Sequence, residues 1–175
     1  MIYCKSCKKE APMSDCVVFY SRSGNTRFVA DEIARRKRAE TVMLEEQKPR
    51  KGLLGFIRSG YQAKTRKASV LQGEPWDRIG NFEKMYLLTP IWAGNGTPAV
   101  NAFLDQADLS GKKVILVTLQ ADAAGAGSTD VHRYLTGRIG AAGGEVVGTH
   151  ALHSAVPGKF AGEEQLLSEA EKIFG

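Results

Sequence analysis

Short, unbroken apolar runs alternate along this chain with longer amphipathic stretches. Cys16-Val17-Val18-Phe19-Tyr20, Thr41-Val42-Met43-Leu44, Met85-Tyr86-Leu87-Leu88 and Val114-Ile115-Leu116-Val117-Thr118-Leu119 are such runs, and residues 145–152 read as a fifth strand. Runs of this length without polar alternation are expected of strands buried on both faces. Between them, Val29, Ala30, Ile33 and Ala34 recur at helical spacing over 26–38. Val131, Tyr134, Leu135 and Ile139 do the same over 128–142. Thr97-Pro98 sets a capping hydroxyl before a proline suited to the first helical position, ahead of Val100, Phe103 and Leu104. Residues 163–174 predict a closing helix. Strands that alternate with helices imply a parallel sheet with helices on both faces, an α/β three-layer sandwich.

Composition narrows the picture. A chain of 175 residues suits one α/β domain. Residues 1–15 hold few large apolar side chains and read as a tail, with the domain over 16–175. No stretch approaches the roughly 20 apolar residues of a membrane span. The start, Met1-Ile2-Tyr3-Cys4-Lys5, lacks a secretory apolar region, so a cytoplasmic protein is expected. The formal charge of +5 makes acidic partners or phosphorylated ligands plausible. No feature points to a nucleic-acid partner.

Candidate chemistry lies in three loops that leave strand carboxyl ends, where open parallel sheets bind ligands. In the first, Ser21-Arg22-Ser23-Gly24-Asn25-Thr26 joins a buried strand to a helix start. Free backbone N–H groups and the positive end of the helix dipole suit a phosphate there. Ser21, Ser23 and Thr26 add hydroxyls, Asn25 an amide, and Gly24 permits close backbone approach. No Lys-Ser/Thr ends the loop, so it is not a triphosphate P-loop. The bland alternative is a Ser/Asn-rich capping turn.

Val17-Val18-Phe19-Tyr20-Ser21-Arg22-Ser23-Gly24-Asn25-Thr26 resembles the flavodoxin signature: aliphatic pair, aromatic, then a Ser/Thr-rich loop ending in Gly-x-Thr. Ala30 matches as well, whereas Asp31 departs from the aliphatic residue usual in that family. The segment Thr89-Pro90-Ile91-Trp92-Ala93-Gly94 is similar to the flavodoxin loop beside the isoalloxazine ring. The resemblance implies a five-stranded sheet in the order 2-1-3-4-5 and bound FMN. It implies that Trp92 stacks on the ring and that backbone groups of Ala93, Gly94, Asn95 and Gly96 meet its polar edge. Gly94 or Gly96 would turn a carbonyl toward the flavin N5. Gln120, Asp122 and Gly125 lie in the third loop, on the ring's other side. That loop lacks the tyrosine many flavodoxins place there, which leaves one ring face open. The Asp122 carboxylate is expected to lower the flavin potential.

The expected function is therefore FMN-based electron transfer or FMN-dependent oxidoreduction, with NAD(P)H or a redox protein, acidic in character, as partner. The alternative is a flavin-free module that acts through the basic segment 48–67. That segment carries Lys48, Arg50, Lys51, Arg58, Lys64, Arg66 and Lys67 around Leu53, Leu54, Phe56 and Ile57, and suits a partner protein, nicotinamide phosphates or a membrane surface. Gly94-x-Gly96-x-x-Ala99 fits a dinucleotide fingerprint formally, but Trp92 would crowd the pyrophosphate. Cys4 and Cys7 form a Cys-x-x-Cys pair, readable as half of a zinc site that needs further ligands, as a redox pair, or as inert. Cys16 opens a buried strand and is expected to pack as a small hydrophobe. His132, His150 and His153 receive no role.

Overall fold

The structure, a computed structural model, describes residues 15–47, 68–125 and 127–175. The Cys4/Cys7 tail and the basic segment 48–67 lie outside the described residues. Five strands are present: β1 (Asp15–Phe19), β2 (Glu40–Met43), β3 (Lys84–Pro90), β4 (Lys113–Gln120) and β5 (Glu145–His153). They form one sheet in the order β2-β1-β3-β4-β5, and every pairing is parallel. The strand order reverses between β1 and β3, and loops leaving the carboxyl ends there open a crevice.

Four helices cover the sheet: α1 (Asn25–Lys37), α2 (Pro98–Gln106), α3 (Ser128–Ala141) and α4 (Glu163–Glu171). Alternate residues of each central strand feed two cores. Val18, Leu87 and Leu116 meet Val100, Phe103, Leu135 and Ile139 on the α2/α3 side. Val17, Phe19, Tyr86, Leu88 and Val117 meet Val29, Ile33 and Leu166 on the α1/α4 side. Burial on both faces explains why these strands read as continuous apolar runs.

The expected elements are present with ends shifted by a few residues. The last helix stops at Glu171. A short 3-10 turn over Pro75–Ile79, which helical periodicity is too short to mark, lays Trp76 against the α2/α3 core. Thr97 caps α2 as expected, its Oγ1 accepting from the Val100 N–H at 3.4 Å. A register shift between Val114 and Ile115 turns the rest of β5 over. Val146 therefore faces the α2/α3 core, while Leu152 faces α1 and α4.

Candidate functional site

The 21–24 loop leaves β1 and feeds α1. Gly24 stands before the helix at φ 94°, a left-handed conformation that glycine adopts without steric cost. The first-turn N–H groups of α1 have no intrahelical acceptor and point out of its N-terminus. The Ser21 Oγ in the same loop is buried and has no hydrogen-bond partner among the described residues.

After β3 the chain makes a tight reversal. Trp92 and Asn95 exchange N–H···O bonds of 2.8 and 3.0 Å, and the two residues between them have positive φ, 47° at Ala93 and 73° at Gly94. That is the pattern of a type I′ turn. A non-glycine residue in this region costs about 1 kcal/mol, so Ala93 is held under strain. Gly96 is not left-handed; it is buried, and a Cβ there would sit 3.3 Å from Leu135. The Trp92 indole meets Tyr20 edge-to-face at 5.5 Å, and the Tyr20 hydroxyl donates to the buried Glu46 carboxylate at 3.2 Å. The Arg22 guanidinium lies 5.8 Å from the centre of the Trp92 ring.

After β4, the Gln120 Nε2 donates to the Asp122 carbonyl at 3.1 Å, which orients its amide. The Gln120 Oε1 is left buried and without a hydrogen-bond partner among the described residues. The Asp122 carboxylate accepts from the Ala124 N–H of its own loop at 3.1 Å. Asp122 is not among the residues that line the crevice. The short side chain finds a local backbone donor first.

A fourth loop, 154–162, leaves β5. Ser154 N–H donates to the Gln120 carbonyl at 2.7 Å. The Asn25 amide spans the gap to this loop: its Nδ2 donates to the Lys159 carbonyl at 2.8 Å, and its Oδ1 accepts from the Ala161 N–H at 2.9 Å. Phe160 lies against Gly24 and meets Phe28 edge-to-face at 6.1 Å.

Together the four loops wall a cavity of about 280 Å³. Of the residues expected from sequence, Arg22, Ser23, Asn25, Thr26, Pro90, Ile91, Trp92, Ala93 and Gln120 line it. Ser21, Gly24, Gly94, Asn95, Gly96, Asp122 and Gly125 are near in the chain but are not on the wall. The sequence reading missed Leu119, Ala121 and the wall after β5, Ser154, Ala155, Pro157 and Gly158. Two signals could have found the last group. A parallel sheet sends every carboxyl end to the same edge, and Pro157-Gly158 is a turn pair.

Other candidate groups lie away from the cavity wall. Cys16 is buried in the α2/α3 core, and burial pushes its thiol up to about 12. His132 Nε2 lies 2.8 Å from Thr118 Oγ1, and burial, with His150 nearby, pushes this imidazole below its ordinary range. Burial also lowers His150. Among the described residues, no group of three or more His, Cys, Asp or Glu side chains could hold a metal ion. Among them too, no helix is long and apolar enough to cross a membrane.

No family model matches the chain, and no curated protein matches it in sequence. Solved structures do match in three dimensions. A candidate flavoprotein from Bacteroides uniformis superposes with a TM-score of 0.70 at 16% identity, over 93% of this chain and 98% of that one. A flavoprotein from Lactobacillus acidophilus in complex with FMN gives 0.62 at 18% identity, over 79% and 93%. The oxidised flavodoxin 1 of Bacillus cereus gives 0.51 at 20% identity, over 91% and 96%. The fold is flavodoxin-like. The 2-1-3-4-5 order and the crevice at β1/β3 are features of this flavodoxin-like frame.

Proposed function

We propose that the cavity holds FMN and that the chain works as a flavodoxin-like flavoprotein, in electron transfer or as an FMN-dependent oxidoreductase. The observation that carries this reading is a buried acceptor on the cavity wall, Gln120 Oε1, without a hydrogen-bond partner among the described residues, in a cavity that the start of α1 also lines. A buried polar atom without a partner costs about 1–3 kcal/mol, so the position favours a ligand that completes it. A phosphate at α1 accepts from the Ser23 and Thr26 hydroxyls and the helix N–H groups. A planar ring system offering an N–H satisfies Gln120. Trp92 and Ile91 line the apolar wall between them.

FMN bound there supplies one- and two-electron chemistry. The chain binds the phosphate through the Ser23 and Thr26 hydroxyls and the α1 N-terminus, bounds the ring with Trp92, and limits water with the 154–162 loop. The complex of the Lactobacillus acidophilus protein with FMN supports the choice of ligand. NAD(P)H or a redox protein is the proposed electron source.

The test is spectroscopic. Purified full-length protein should show flavin absorption and release FMN on denaturation. Anaerobic NADPH should bleach that absorption if the donor is a nicotinamide; no bleaching assigns reduction to a partner protein. Colourless protein that also fails to bind added FMN overturns the flavin reading in favour of a flavin-free module.

A further inference from the structure

Arg22 is the one ionisable side chain on the cavity wall among the described residues. It is half-buried, and its guanidinium reaches the Trp92 ring, 5.8 Å from the centroid. The positive charge thus lies beside the aromatic side chain of the cavity wall. The carboxylates nearest in sequence to the cavity loops are not among its lining residues. Asp122 is turned to the Ala124 N–H, and Asp31 lies in a separate polar groove with Arg27, Glu45 and Glu74.

We infer that Arg22 makes this site hold reduced FMN in preference to oxidised FMN. The inference rests on the FMN reading given above. Uptake of two electrons and one proton converts the neutral isoalloxazine ring into an anion. A cation at the ring end of a cavity without carboxylates on its described wall stabilises that anion, while the oxidised ring gains little. The phosphate charge is the same in both states, so a residue that serves only the phosphate binds both equally. In general, a partly exposed unit charge about 6 Å from an anion shifts such a preference by on the order of tenfold. Such a site favours taking a hydride from a reduced nicotinamide, two electrons and one proton together, over service as a strongly reducing electron carrier.

Dissociation constants for oxidised FMN and for chemically reduced FMN, measured anaerobically on the full chain, test this directly. The wild type should bind the reduced form more tightly. Arg22→Gln should cut the ratio of the two constants about tenfold, Arg22→Lys should restore most of it, and added salt should shrink it. Loss of affinity for both forms by the same factor would place the guanidinium at the phosphate and overturn the inference. So would a ratio that Arg22→Gln leaves unchanged. If the wild type binds neither oxidised nor reduced FMN, the FMN reading falls first and this inference with it. Oxidised-FMN binding by each variant shows that the variant is folded.

Discussion

Replacing Asn25 by alanine should loosen the 154–162 loop from the cavity. The Asn25 side chain is buried and makes two bonds across 134 and 136 positions of sequence, to the Lys159 carbonyl and from the Ala161 N–H. A third, to Ser23 Oγ at 3.2 Å, is local. Each net hydrogen bond is worth about 1 kcal/mol. Alanine's better helix propensity returns roughly 0.6 kcal/mol at this first position of α1, about the worth of the local bond. The balance is a loss of about 2 kcal/mol, which for a domain of this size lowers the melting temperature by about 4–8 °C. Urea unfolding followed by circular dichroism reads the loss directly. Hydrogen exchange at Ala161, whose amide loses its acceptor, should rise. Asn25→Asp adds a second diagnosis. Its carboxylate can still accept from Ala161 but meets the Lys159 carbonyl with no proton between them, so FMN affinity should fall further than in the alanine variant. A stability loss below about 0.5 kcal/mol in Asn25→Ala, with unchanged exchange at Ala161, would refute the staple.

Two further outcomes follow from the buried groups. Because His132 and His150 are both held below their ordinary range, the folded state binds fewer protons than the unfolded chain near pH 6. This share of stability is complete above about pH 6.5 and is lost as pH falls through that value, so the urea midpoint should drop between about pH 7.5 and 5.5. A flat midpoint over that range would contradict it. Cys16, buried and with its thiol pushed up to about 12, should be inert to thiol reagents in the native state. A Cys4→Ser/Cys7→Ser double variant should give no native reaction and a single reactive thiol after denaturation; rapid native labelling would show that the β1 core opens.

The fold was legible because its signals are local. Unbroken apolar runs mark strands covered on both faces, and the Thr97-Pro98 cap marks a helix start from two adjacent residues. The loops after β1 and β3 could be read for the same reason: Gly24 and the Ala93-Gly94 turn are short-range backbone features. Tertiary structure decided what those loops do with their side chains. Asn25, read as an amide for a phosphate, is tied to a loop more than a hundred residues away. Asp122, read as a charge beside a flavin, also accepts from the Ala124 N–H of its own loop. Arg22, one residue in a polar turn, becomes a charge beside Trp92 only because β1 and β3 are neighbours in the sheet. Sequence by itself determined which segments form strands, helices and ligand loops, since those follow from periodicity and backbone preference. Which atoms remain unsatisfied in the cavity, and so what it can bind, depends on contacts between distant segments that no local pattern encodes.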